Sequence, residues 1–307
     1  MEKVIVVIGP TSVGKTKMGV ALAKKFNGEV ISGDSMQIYK QMDIGTAKVT
    51  EEEKEGIIHH CVDILNPDET YSVHDFQQTV RKKITEITQR GHVPIIVGGT
   101  GLYIKAALYD YRFDEMENDH HAINEKYKDY TNEQLHDHLK SIDEESAKIL
   151  HFNNRRRVLR AIEIYETTGK RKSEMLEEQE HICLYDAYFV GLTLPRDVLY
   201  ERINKRVDVM MENGLKEEMD CLYSQGLTRN HQSMKAIGYK EWFDYYDHQI
   251  DLNDVLELIK KHSRQYAKRQ YTWFKNQFDV HWYDVNLENF EQTIEQVTDD
   301  IEKILKV

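Results

Sequence analysis

Eight residues near the start of the chain carry its most specific chemical signal. Residues 9–16 read Gly9-Pro10-Thr11-Ser12-Val13-Gly14-Lys15-Thr16, the spacing of a phosphate loop. In such a loop backbone N–H groups and a helix N-terminus converge on phosphate oxygens, the lysine adds a point charge, and the threonine hydroxyl can hold Mg²⁺. The flanks agree. Val4-Ile5-Val6-Val7-Ile8 in front is a β-branched run of the kind buried in parallel sheets, and Lys17 to Phe26 behind has helical spacing. The chain is therefore expected to bind a di- or triphosphate at residues 9–16.

A carboxylate stands at a second strand end. Ser32-Gly33-Asp34-Ser35 closes the strand pattern Glu29-Val30-Ile31-Ser32, and Gly98-Gly99-Thr100-Gly101 closes Pro94-Ile95-Ile96-Val97. Ligands of open α/β sheets bind outside the carboxyl ends of the strands, so Asp34, Thr100 and the phosphate loop should share one crevice. An NTPase usually ends a second strand in an acid that helps to hold Mg²⁺. The strand ending at Val97 has none. Asp34 is then a candidate base that takes a proton from an incoming nucleophile. An Asx-turn or a helix cap, which Gly-Asp-Ser often forms, is an equal alternative.

Two cationic segments suggest a polyanionic substrate. Arg155-Arg156-Arg157-Val158-Leu159-Arg160 holds four arginines, with Lys170-Arg171-Lys172 shortly after. Between Leu258 and Phe278 stand Lys260, Lys261, Arg264, Lys268, Arg269 and Lys275 without an acid, interleaved with Tyr266, Tyr271, Trp273 and Phe274. Cations on a phosphate backbone and aromatics under splayed bases are how proteins hold structured RNA. Either segment alone also fits a solvated helix face with its aromatics in the core.

The elements that must position these groups follow from the patterning. The 307 residues carry 41 Lys and Arg against 53 Asp and Glu, a net charge of −12. Such a balance speaks against indiscriminate nucleic-acid binding and leaves local basic patches to act at short range. Cys61, Cys183 and Cys221 lie far apart in sequence, which indicates neither a disulfide framework nor a zinc site. No apolar run reaches the length of a membrane span, and the N-terminus runs straight into the first strand, so a cytoplasmic protein is expected. Strand and helix patterns alternate over residues 1–112 and return over 186–307, where Ala187 to Leu192 and Val280 to Tyr283 read as strands and a closing helix runs from about Asn286 to Leu305. Residues 113–185 lack β-branched runs, and Leu135, Leu139, Ile142, Ile149, Leu150, Val158, Leu159, Ile162 and Ile164 recur at helical spacing. The expected fold is α/β, a parallel phosphate-loop core flanked by helices and split by an all-helical insertion.

At this point the chain resembles the bacterial tRNA dimethylallyltransferase family. The resemblance rests on residues 9–16, on Asp34-Ser35-Met36-Gln37-Ile38-Tyr39 continuing to Met42-Asp43-Ile44-Gly45-Thr46-Ala47-Lys48, and on His59-His60-Cys61-Val62-Asp63. It continues through Gly98 to Tyr103, Arg156 to Glu163, Lys235-Ala236-Ile237-Gly238-Tyr239-Lys240, and Lys268 to Trp273. It implies transfer of a dimethylallyl group from its diphosphate to the exocyclic amine of the adenosine 3′ of the anticodon, in tRNAs reading U-initial codons. A loop of the usual ATP-cradling pattern would then grip a leaving diphosphate with Mg²⁺. By the resemblance Lys15 and Thr16 hold diphosphate and metal, and Arg206 adds a second cation. Asp34 would accept the amine proton, and Thr100 would position the substrates. Asp34, Ser35, Met36, Gln37 and Thr100, with Arg156, Arg157, Val158, Leu159, Arg160 and the stretch Lys235 to Lys240, would contact the tRNA anticodon stem-loop. No obligate protein partner is implied. The rival classes are a small-molecule kinase, with Arg202 and Arg206 on a lid, and a non-catalytic RNA-binding regulator.

Overall fold

The computed structural model describes residues 1–111, 113, 120–177 and 181–305. By its contacts the chain forms two units, Met1–Tyr109 with Cys183–Val307, and Asp110–Ile182. The boundaries fall a few residues before the expected 112 and 185, where two passes of the chain pair with each other. Tyr109 bridges Cys183, the Asp110 N–H donates to the Ile182 carbonyl at 3.0 Å, and the Ile182 N–H donates to the Asp110 side chain at Oδ1 at 2.9 Å.

The first unit is built on six parallel strands: β1 (Lys3–Ile8), β2 (Gly28–Ser32), β3 (His59–His60), β4 (Val93–Val97), β5 (Asp186–Thr193) and β6 (His281–Asp284), in the order β3-β2-β4-β1-β5-β6. Both faces are buried, as the β-branched runs require. Val4, Val6, Ile8, Ile31 and Ile96 enter one apolar cluster, and Ile5, Val7, Val30 and Ile95 enter the other. This order sets β2, β4 and β1 side by side, with Val7 level with Val97 and Ile31 with Ile96. The three loops that leave their carboxyl ends begin at Gly9, Gly33 and Gly98 and are therefore neighbours. Gly33 and Gly98 touch: a Cβ on Gly98 would lie 2.4 Å from the Gly33 carbonyl oxygen. The sequence did not mark β3, a two-residue edge strand of histidines.

The second unit is helical, with helices His120–Lys126, Asn132–Ile142, Glu144–Ile149, Arg155–Thr168 and Lys172–Glu177. Leu135, Leu139, Val158, Leu159, Ala161 and Ile162 form its core with Ile123, Tyr127 and Ala147. Ile149, expected on the apolar face, is instead exposed, because its short helix ends there.

Candidate active site

The phosphate loop takes its shape from left-handed backbone at Gly14 (φ 97°), which ends in the helix Lys15–Lys25. No side chain caps that helix and its first turn holds no acid, so its N-terminal N–H groups are left to an anion. Gly9 is held against β5, where a Cβ would come within 2.4 Å of the Leu192 carbonyl oxygen. Ser12 also lies in the left-handed region (φ 68°), and its buried hydroxyl has no partner. A buried orphan hydroxyl costs free energy unless a ligand satisfies it. A phosphate oxygen would do so.

Lys15 turns back on the loop, donating from Nζ to the Pro10 carbonyl at 2.7 Å. Burial first, and then the Arg206 guanidinium, push its pKa down to about 7, while Asp34 opposes them. Arg206 lies one turn after Arg202 on the helix Arg196–Glu212, and Arg202 Nε donates to the Ser12 carbonyl at 2.9 Å. Burial also pushes the Asp34 carboxyl up, against the pull of the Met36 and Gln37 N–H groups, Lys15 and Arg206. Lys15, Arg206 and Asp34 thus feel one another's charge.

Of the two alternatives for Asp34, the Asx-turn is present in the structure. Its Oδ1 accepts the Met36 N–H at 2.8 Å, and this bond fixes the carboxylate on its loop. Thr100 holds the same loop: its Oγ1 accepts the Ser35 N–H at 3.1 Å and donates to Ser35 Oγ at 3.3 Å. Gln37 is held from both ends, accepting from Ser32 Oγ at 2.9 Å and donating to the Thr46 carbonyl at 3.3 Å.

The chain matches known proteins along most of its length. Residues 37–277 match the IPP transferase family. A tRNA dimethylallyltransferase of Bacillus cereus is 54% identical over 92% of this chain and 90% of its own length. The chain belongs to the IPP transferase family. Among solved structures, a tRNA isopentenylpyrophosphate transferase of Bacillus halodurans is 44% identical over 100% of this chain and 99% of its own, with a TM-score of 0.75. A eukaryotic dimethylallyltransferase acting on tRNA is 33% identical over 99% of this chain and 79% of its own, with a TM-score of 0.86.

In this IPP transferase the expected tRNA stretches separate into surface and core. Arg156, Arg157, Lys235 and Lys240 are exposed. Val158, Leu159, Ala236, Gly238 and Tyr239 of the same stretches are buried, packed in the units that carry the exposed cations. Arg155 donates to the Tyr127 carbonyl at 2.6 Å, and Arg160 pairs with the buried Glu163 at 2.8 Å, so both are tied into the helical unit. On the helix Leu252–Gln277, Lys261, Lys268, Arg269 and Lys275 are exposed, Lys260 pairs with Asp208 at 2.7 Å, and Phe274 is fully buried.

The stretch Met42 to Lys48 is held by Glu218, which the sequence did not single out, together with Tyr239. The Glu218 carboxylate accepts the N–H groups of Asp43 (2.8 Å), Ile44 (2.8 Å) and Gly45 (3.1 Å) and the Tyr239 hydroxyl (2.6 Å). Tyr239 packs on Gly45, where a Cβ would come 2.5 Å from its ring. Buried Lys48 donates to the Tyr39 carbonyl at 2.8 Å and pairs with Asp43 and Asp63. Glu218→Ala orphans three N–H groups and a hydroxyl at once. It should lower stability by about 1–3 kcal/mol in chemical denaturation. A midpoint equal to wild type would show that water replaces the carboxylate.

Proposed function

We propose that the chain transfers a dimethylallyl group from dimethylallyl diphosphate to the exocyclic amine of the adenosine 3′ of the anticodon, in tRNAs that read U-initial codons. That it is a tRNA-prenylating transferase follows from its family and from relatives matched over nearly the whole chain. The donor, the target position and the codon set belong to this proposal. The observation that carries the chemistry is the placing of the phosphate loop after β1 and of Asp34, on a loop held by Thr100, after β2, at the carboxyl ends of strands on either side of β4.

The bond from the first allyl carbon to the diphosphate oxygen breaks as the adenine nitrogen bonds to that carbon. The amine proton passes to Asp34, and the electron pair leaves on the diphosphate. An adenine amine is a poor nucleophile, so proximity, a base and charge stabilisation must all be supplied. The loop N–H groups, Lys15 and Arg206 face the departing charge. Burial makes the ionised Asp34 a stronger base than an exposed aspartate. The target base must leave its stack, which costs a few kcal/mol and least in a loop.

Mg²⁺ fits these residues. Among the described residues no three His, Cys, Asp or Glu side chains cluster as a metal cage. Mg²⁺ is commonly held by one or two protein oxygens, substrate phosphates and water, and the Thr16 hydroxyl stands at the loop to supply one. When bound, it would add positive charge to the leaving diphosphate. Among the described residues no helix is long and apolar enough to cross a membrane, and we place the enzyme in the cytoplasm, where tRNA is its substrate.

Fragment mapping after ribonuclease digestion tests the assignment. One added prenyl mass should appear on the fragment holding the adenosine 3′ of the anticodon in U-initial readers. The same mass on another adenosine, or on all tRNAs equally, would contradict it. A second expectation concerns tRNA affinity. Replacing Arg156 and Arg157 together by Ala should weaken tRNA binding and flatten its salt slope by about 0.7–0.9 per lost contact. Donor binding should be unchanged, since neither residue belongs to the phosphate loop. An unaltered slope would make these arginines a solvated face only.

A further inference from the structure

Gln270 is buried, lies on the helix Leu252–Gln277, and bridges two loops that are far away in sequence. Its Oε1 accepts the Thr11 N–H of the phosphate loop at 3.0 Å, and its Nε2 donates to the Gly99 carbonyl at 3.0 Å. Tyr266, one turn earlier, donates its hydroxyl to the same carbonyl at 3.2 Å. Gly99 precedes Thr100, whose hydroxyl holds Ser35 beside Asp34. The contact at Gly99 is tight, since a Cβ there would lie 2.2 Å from Gln270 Nε2.

We infer that Gln270 is a positioning residue for the transfer reaction: it fixes the spacing between the loop that grips the leaving diphosphate and the loop that carries Asp34 and Thr100. This rests on the prenyl-transfer reading proposed above. One side chain must both accept and donate, so the amide is specified at this position. Glutamate keeps the acceptor and loses the donor until it is protonated. Its neutral acid then accepts the Thr11 N–H and donates to the Gly99 carbonyl, as glutamine does. Methionine of similar length offers neither. Misplacement of reacting groups by about 1 Å can cost about 100-fold in rate.

The test is single-turnover prenylation of a tRNA transcript by wild type, Gln270→Met and Gln270→Glu, at saturating donor and tRNA. Gln270→Met should lose about 30- to 100-fold in rate with both dissociation constants within about threefold of wild type. A buried glutamate titrates above its ordinary range, so the ratio of Gln270→Glu to wild-type rate should climb from about pH 8 to about pH 6. For Gln270→Met the ratio should stay flat. A role in folding alone would lower stability and leave both ratios independent of pH. A Gln270→Met rate within about threefold of wild type, or a flat ratio for Gln270→Glu, overturns the inference. If Gln270→Met does not fold, the pH ratio of Gln270→Glu decides. Failure of the prenyl-transfer reading is seen separately, as wild type giving no prenylated adenosine.

Discussion

Asp34→Ala is expected to lower the single-turnover rate of prenyl transfer by about 100- to 10,000-fold while tRNA affinity stays within about threefold of wild type. The carboxylate would act on a proton in flight, so its loss falls on the chemical step. Asp34→Asn separates its two duties. The asparagine oxygen can keep the Asx-turn bond to the Met36 N–H that Oδ1 makes at 2.8 Å, yet it cannot serve as base. Asn and Ala variants that are equally slow would identify the base. An Asn variant within about threefold of wild type would leave Asp34 with the turn alone.

Lys15→Ala should lower the same rate by about 100- to 1,000-fold, the scale of removing one preorganised group from developing charge. The pH dependence follows from its environment. Burial and Arg206 hold Lys15 at about 7 in the free enzyme. Above that pH the amine is largely neutral. A diphosphate favours the ammonium, so its arrival raises this pKa and binding takes up a proton. Donor affinity through this group therefore falls as pH rises above about 7, by at most about tenfold per pH unit. Calorimetry at about pH 8 in buffers of different ionisation enthalpy should report this uptake in wild type and its loss in Lys15→Ala. Equal proton counts for the two proteins would mean that Lys15 is already charged in the free site.

The sequence made legible what depends on local pattern. The phosphate loop, five of the six strands and the helical character of the insertion follow from β-branched runs, glycine spacing and helical periodicity. Asp34 and Thr100 followed from strand ends, because a parallel sheet must put those ends together. What escaped was long-range pairing. Gln270 was marked only as part of the stretch Lys268 to Trp273 and Glu218 not at all, and their roles appear only when Thr11, Gly99 and the Asp43 to Gly45 backbone are placed against them. The cationic stretches showed the complementary limit. Composition shows four arginines in six residues, and only burial tells exposed Arg156 and Arg157 from Arg160, which is bound to Glu163.

The central claim is that this phosphate loop holds a diphosphate that leaves while a carbon–nitrogen bond forms on adenine. The most direct measurement is nucleoside mass analysis of an unmodified tRNA transcript incubated with the protein, Mg²⁺ and dimethylallyl diphosphate. The account predicts one prenyl group added to adenosine, released diphosphate in equal amount, and no requirement for ATP. An unchanged adenosine mass, together with ADP formed from ATP in the presence of a small acceptor, would contradict it and favour phosphoryl transfer at the same loop.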